Sequence, residues 1–277
     1  MKPLFIWAGG KTKMFKHYES LMPSPPIESY SEPFFGGGAM FLKVMDMYQP
    51  KRVYLNDINE GIMSIYSSIK NNVGEFCHIL DSYCKPYLAL KEKEDRKKFY
   101  YDVRKENAWD YEKWNETEQS AVLYFLMKTG FNGIWQINKN TNNRYGTPSG
   151  LLNQKDKVYD KENVQEWNKI LNKIDVTLTS KDWKEVPLGD FTFYDPPYRN
   201  SFADYNTSFD DTETEALITR VEENKNVWLS NRDSGDGFFE NRKATLKKFP
   251  VTYTAGRRKK TENGFAAKKA TEILLFN

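Results

Sequence analysis

Phe191-Thr192-Phe193-Tyr194 is a short apolar run that ends abruptly at Asp195-Pro196-Pro197-Tyr198, and no other stretch constrains the fold as tightly. Four β-prone residues without polar alternation read as a strand buried in the middle of a sheet. The two prolines stop it. They lack backbone donors and have a fixed φ, so the carbonyls around them are left as unpaired acceptors. With a carboxylate before them and an aromatic after them, the segment suits an exocyclic amine. Asp195 and the Pro196 carbonyl can each accept one N–H while Tyr198 stacks on the ring that carries it. Taken alone, the tetrapeptide serves equally well as a strand end with a proline turn.

The rest of the chain supplies the context. Near the start, Trp7-Ala8-Gly9-Gly10-Lys11 precedes a helix expected over about Thr12 to Leu21. Paired glycines let the backbone approach a ligand, and a lysine there can address an anion; an ordinary glycine turn is the alternative. A strand then runs from about Ile27 into Glu32-Pro33-Phe34-Phe35-Gly36-Gly37-Gly38-Ala39, followed by a helix over Met40 to Tyr48. Strand, glycine turn, helix is the layout in which a nucleoside-bearing cofactor meets the first strand of a doubly wound sheet. The GxGxxG fingerprint is absent, which disfavours a dinucleotide. Arg52 to Leu55 is a second strand, ending at Asn56-Asp57-Ile58-Asn59. There Asp57 can accept from ribose hydroxyls and Ile58 can cover an adenine face, or Asp57 can cap the helix expected over Glu60 to Lys70.

From about Asn71 to Asn163 the alternation lapses. Helices are expected at Val73–Leu90, Asp95–Asn107 and Glu116–Lys128, which makes residues 71–163 an inserted helical subdomain between the two parts of a catalytic domain, 1–70 and 164–277. The insertion ends in Phe131-Asn132-Gly133-Ile134-Trp135-Gln136-Ile137-Asn138 and a loop to Gly150 that carries Arg144 and Pro148. Mixed aromatics, amides and basic groups suit base edges and base stacks; a loop packed on its own aromatics is the alternative. Alternation resumes with a strand over Ile174–Thr179, where Asp182 beside Trp183 can bind a cofactor's adenine or cap a turn. After the Tyr194 strand the pattern predicts a helix over Glu213–Asn224, a strand over Val227–Ser230, a helix over Phe238–Phe249, and a closing hairpin of Val251–Thr254 with Ala270–Phe276. The expected fold is α/β: a Rossmann-like mixed sheet with an antiparallel C-terminal hairpin and an inserted helical subdomain.

Composition narrows the function classes. A chain of 277 residues with 39% hydrophobic and 15% aromatic content is a folded globular protein. No apolar run approaches the roughly 20 residues that span a bilayer, and the start lacks a signal-peptide pattern, so a cytoplasmic protein is expected. Cys77 and Cys84 lack CxxC spacing, and His17 and His78 are the sole histidines, so metal centres and histidine triads are unsupported. Net charge is only +3, but basic residues gather between Arg242 and Lys269 with Glu262 as the one acid among them. Within that stretch Arg257-Arg258-Lys259-Lys260 lies between two strand-like runs, where a basic hairpin can reach phosphates; a solvated face is the alternative.

In order along the chain, the Trp7 to Lys11, Glu32 to Ala39, Asn56 to Asn59, Phe131-Asn132-Gly133 and Asp195 to Tyr198 segments resemble the motifs of Dam-type (D12 class) DNA adenine-N6 methyltransferases, over essentially the whole length. Ala203-Asp204-Tyr205-Asn206 adds a likeness to compact, phage-borne members. The resemblance implies S-adenosyl-L-methionine bound by Trp7, Ala8, Gly9, Lys11, Phe34, Phe35, Gly36, Gly38, Asp57, Ile58, Asp182 and Asp195. It implies a flipped adenine held by catalytic Asp195, Pro196 and Tyr198. Double-stranded DNA would be met by Phe131, which wedges into the duplex, and by Asn132, Gln136, Asn138, Arg144 and Pro148, with Arg257, Arg258, Lys259 and Lys260 on phosphates. A monomer is expected.

Two other functions fit the same residues. Cytosine N4 is also an exocyclic amine, although that class tends to Ser-Pro-Pro-Tyr; a non-catalytic nucleic-acid-binding protein could keep the pocket without turnover. Within the adenine reading, Gln136 stands where relatives that read GATC commonly carry arginine, and Ile6 stands where they carry lysine. Glutamine matches the N7/N6 edge of adenine rather than guanine, so a site other than strict GATC is expected.

Overall fold

The computed structural model describes all residues except Ala8, 151–155, 200–208, 254–258, 262–263 and 267; the side chains of 253–268 also fall outside the description. The expectations for Ala8, Arg257, Arg258, the side chains of Lys259 and Lys260, and Ala203 to Asn206 therefore lie outside the described residues.

Among the described residues, five strands run parallel: β1 (Ser29–Glu32), β2 (Arg52–Asn56), β3 (Asp175–Thr179), β4 (Phe191–Tyr194) and β5 (Val227–Arg232). Two long strands, β6 (Thr245–Tyr253) and β9 (Lys268–Phe276), close the sheet antiparallel. Between them β7 (Lys259–Thr261) and β8 (Gly264–Ala266) form a small hairpin. The sheet order is β3-β2-β1-β4-β5-β9-β6. Chain progression reverses between β1 and β4, where Tyr30 is in register with Phe191. In open α/β sheets that switch point leaves a crevice beyond the strands' carboxyl ends. Asp195 follows β4 directly and Glu32 ends β1.

Period-2 alternation sorts the sheet's side chains into two cores. Phe191, Phe193, Trp228 and Leu274 enter one with Phe41, Tyr66 and Trp167, whereas Tyr194, Val227, Leu229, Ile273 and Leu275 enter the other with Leu217, Ile218 and Phe239. Helices α2 (Ala39–Met47), α3 (Glu60–Ala89) and α6 (Lys161–Lys173) contribute to the first, and α7 (Asp211–Glu223) covers the second. Tyr66 and Trp167 pack at 5.3 Å, and Phe35 and Tyr66 at 4.7 Å, joining the glycine turn after β1 to the first core.

Three expectations need correcting. The N-terminal helix is broken: one α-helical turn, α1 (Phe15–Tyr18), lies between 3-10 turns at Lys11–Met14 and Glu19–Leu21. The helices expected at Glu60–Lys70 and Val73–Leu90 are, by contrast, present on either side of a kink at the non-helical Asn72 (φ −137°, ψ 40°), within α3. Helix α6 is not among the expected elements: its apolar stripe, Val164, Trp167, Ile170 and Leu171, is short and set among polar residues, and the Asp160 N-cap, accepting from the Asn163 N–H at 3.4 Å, is its one start signal. The helix expected over Phe238–Phe249 is absent. Asn241 adopts φ 56°, and Thr245 onward pairs with β9, Leu246 with Leu275 and Lys248 with Ile273, so long-range pairing overrides local helix propensity. Pro250 is tolerated because β6 is the sheet's edge.

Within residues 71–163, α4 (Lys93–Trp109) and α5 (Glu116–Thr129) pack with α3, α5 along most of its length: Ser68 donates to Ser120 at 3.1 Å near one end and Tyr87 packs on Phe125 at 5.5 Å near the other. Helix α5 begins with a reciprocal Asn115/Glu118 capping box and is buried almost all round, from Ser120 to Met127. After it, residues 130–150 form a loop tied by isolated bridges between Gly130 and Ser149 and between Ile137 and Tyr145. No helix among the described residues is long and apolar enough to cross a membrane.

Candidate active site

One cavity of about 1230 Å³ opens beyond the carboxyl ends of β1, β2 and β4. Trp7, Gly9, Lys11, Phe34, Phe35, Gly36, Gly38, Asp57, Ile58, Asp182, Asp195, Pro196, Tyr198, Phe131 and Asn132 all line it. Gln136, Asn138, Arg144 and Pro148 lie on the neighbouring loop rather than in the cavity wall.

The wall at β1 and β2 is shaped by the glycine turn. Gly36 has φ +48°, and a Cβ there would fall 2.6 Å from the Trp7 indole nitrogen, so the ring and the turn need each other in this form. Asp57, just past β2, accepts from the Gly36 N–H at 2.8 Å and the Asn59 N–H at 3.0 Å. Burial pushes its carboxyl up to about 6 despite those two bonds, which act to lower it. It is not the cap of α3; Asn59 is, accepting from the Ile62 N–H at 3.2 Å. Ile58 stays exposed at the rim. Asp182 is exposed as well and accepts from the Lys184 N–H at 2.9 Å, so it caps its turn and lines the cavity at once.

The floor is a charged network. The Lys11 ammonium has three donors, and all three are engaged: with Asp195 Oδ1 at 2.6 Å, with the Tyr198 hydroxyl at 2.8 Å, and with the Gly9 carbonyl at 2.8 Å. Ser230, on β5, donates to the same Asp195 oxygen at 2.7 Å. The Tyr198 hydroxyl donates in turn to Glu272 Oε1 at 2.7 Å. Burial opposes the charge on Lys11, but Asp195 and then Glu272 outweigh it and hold the ammonium above the ordinary lysine range. Burial raises the Asp195 carboxyl, with Lys11 and Ser230 pulling it back. Glu32, buried at the end of β1, accepts from the Tyr30 hydroxyl at 2.8 Å, and burial raises its carboxyl well above the usual range. A carboxylate offers about four lone-pair sites, so Asp195, with two bonds at Oδ1, keeps capacity for an incoming N–H.

The loop beside the mouth is arranged differently. Ile6 is 70% exposed, Phe131 47% and Ile134 42%. A Cβ on Gly133 would sit 2.6 Å from the Ile6 carbonyl oxygen, so the Phe131-Asn132-Gly133 turn rests on the N-terminal segment. Asn132, Gln136 and Pro148 are exposed, and the Pro148 carbonyl accepts from the Phe131 N–H at 2.9 Å. Asn138 is half-buried, its carbonyl accepting from Thr141. Arg144 is also half-buried: it stacks on Tyr111, 3.4 Å from the ring centre, and pairs with Glu112 at 2.5 Å.

The model of the D12 class N6 adenine-specific DNA methyltransferases matches residues 7–255. The chain belongs to that family. Its activity is site-specific methylation of adenine N6 in DNA, and the cytosine-N4 and non-catalytic readings of Asp195 to Tyr198 are set aside. The type II methyltransferase M.MjaIII of Methanocaldococcus jannaschii is 33% identical over 76% of this chain and 75% of its own. The type II methyltransferase M1.LlaDCHI of Lactococcus lactis subsp. cremoris is 26% identical over 100% and 95%, and the retron Ec67 DNA adenine methylase of Escherichia coli 24% over 99% and 90%.

Several residues of this methyltransferase's site were not found by sequence reasoning. Ser230 and Glu272 come from β5 and β9, far along the chain, with no local motif to mark them. Arg199 follows Tyr198 and carries a bidentate pair to Asp211 (2.6 and 2.8 Å), a third bond to Asp236 (2.8 Å) and a stack on Phe238 at 3.6 Å. Its N–H also donates to Asn231 at 3.2 Å, so it anchors the segment that carries Tyr198. The nearest available signal was a lone arginine after the motif.

Proposed function

We propose that the methyl donor is S-adenosyl-L-methionine, held against the carboxyl ends of β1 and β2, and that the adenine is flipped from double-stranded DNA to meet it above Asp195. The residues fit this group. Asp57, fixed by two backbone donors, is an acceptor for ribose hydroxyls; Ile58 and Phe34 offer apolar faces to an adenine, with Asp182 beside them. Trp7, Gly9, Phe35, Gly36 and Gly38 form a wall that backbone can approach closely. The donor brings an electrophilic sulfonium methyl, and the chain's task is to prepare the nucleophile.

Adenine N6 is a poor nucleophile because its lone pair is delocalised into the ring. Acceptance of its two N–H groups by the Asp195 carboxylate and the Pro196 carbonyl favours a pyramidal nitrogen with the lone pair directed at the methyl. Tyr198 gives the flipped base a stacking surface. One observation carries this reading: a preorganised carboxylate, bonded to Lys11 and Ser230, opens into the same cavity as Asp57 and the glycine turn.

On this reading residues 71–163 form the target-recognition insertion, with Phe131 entering the duplex and Asn132, Gln136, Asn138, Arg144 and Pro148 near base edges. Arg257, Arg258, Lys259 and Lys260 meet phosphates. Arg144 has to leave Tyr111 and Glu112 to reach a base, so Gln136 is the better-disposed reader and a site other than strict GATC follows. The protein works as a monomer in the cytoplasm of a bacterial or phage-infected cell. Calorimetric titration with S-adenosylhomocysteine tests the cofactor assignment: micromolar binding that Asp57→Ala weakens at least tenfold is expected, and binding indifferent to Asp57 would overturn it.

A further inference from the structure

Glu272 has no part in the sequence motifs and lies beyond the residues matched by the family model, which end at 255. It is nonetheless 3% exposed and lines the cavity. Its place on β9 is conspicuous. Alternation puts Glu272 on the same face as Leu274, which is fully buried in the first core. A carboxylate there is costly unless it is partnered, and an apolar residue would suit the face better. Its partner is the catalytic tyrosine: the Tyr198 hydroxyl donates to Glu272 Oε1 at 2.7 Å while accepting from Lys11 at 2.8 Å.

These contacts set the Tyr198 ring. A tyrosine at the end of a proline turn has a ring free to rotate about χ1, and a base-stacking wall works only if the ring is fixed before the base arrives. Pro196 and Pro197 stiffen the backbone but do not hold the ring. The hydroxyl, held between an ammonium from the N-terminal segment and a carboxylate from the last strand, does. We infer that Glu272 is a positioning residue for methyl transfer, acting through the Tyr198 hydroxyl to hold the ring on which the flipped adenine stacks. This rests on the adenine-binding role proposed for Tyr198.

Single-turnover methyl transfer on duplex DNA, with S-adenosylhomocysteine affinity measured alongside, tests the inference. Glu272→Ala should slow the chemical step roughly ten- to hundredfold, the range for loss of a charge-assisted hydrogen bond, with cofactor affinity within about threefold of the parent. Glu272→Gln, whose amide oxygen can accept the same proton, should recover most of that rate, and it keeps the test valid if the alanine variant folds poorly. In a Tyr198→Phe background, which lacks the hydroxyl, Glu272→Ala should cost no more than about threefold further. Full additivity of the two changes, an unaltered rate in Glu272→Ala, or failure of glutamine to rescue would each overturn the assignment. Tyr198→Phe at the parental rate would overturn it as well, since Glu272 acts through that hydroxyl, whereas Tyr198→Ala at the parental rate would overturn the adenine-binding role of the ring itself.

Discussion

The floor of the cavity and its rim are built on opposite principles. At the floor, Lys11, Asp195, Tyr198, Ser230 and Glu272 come from four separate places in the chain and bind one another through hydrogen bonds of 2.6 to 2.8 Å. At the rim, Ile6, Phe131 and Ile134 stand 42 to 70% exposed on a loop and an N-terminal segment. A preorganised polar cluster lowers a barrier because its geometry is set before the reaction. Exposed apolar side chains gain by burial only when a partner covers them. On the proposed reading the floor sets the rate, and the rim chooses and opens the DNA.

Changes at the floor should break the rate. Asp195→Ala is expected to slow single-turnover methyl transfer at saturating cofactor by about a hundredfold or more. At the rim, Phe131→Ala should lower kcat/KM on paired duplex about tenfold, as expected for loss of one base-stacking contact. It should matter less on DNA whose target adenine is mispaired, where extrusion already costs less. Gln136→Arg should leave kcat in place and raise preference for guanine at one position of the site by about tenfold, read by sequencing of methylated random duplexes. The smallest effect is expected at Asp57. Its folded carboxyl titrates near 6, above the ordinary aspartate range, so it is an ionised acceptor at neutral pH and becomes protonated as pH falls through 6. Cofactor affinity measured between pH 7.5 and 5 should therefore weaken a few-fold on acidification, and Asp57→Asn should flatten the profile.

The same contrast explains what was legible in the sequence. Segments whose meaning is local were readable: Phe191 to Tyr194 is the strand and Asp195 to Tyr198 follows it, and Phe34 to Gly38 and Asn56 to Ile58 line the cavity. Partners brought by long-range pairing were not. Glu272 looks like one polar residue in an alternating strand, and only the β9 register sets it opposite Phe249 and beside Tyr198. The same pairing turned Thr245 to Phe249 from an expected helix into an edge strand. Helix α6 was obscured by a short stripe of four apolar residues among polar ones, although Trp167 proves central to the first core.

The claim beneath all of this is that preorganised acceptors at the end of β4 select the amine of a flipped adenine. Nucleoside analysis of duplex DNA incubated with purified protein and methyl-labelled S-adenosyl-L-methionine tests it most directly. The account predicts label in N6-methyladenine alone, and none with Asp195→Ala. Label in N4-methylcytosine, or N6-methyladenine formed undiminished by the Asp195→Ala protein, would contradict it.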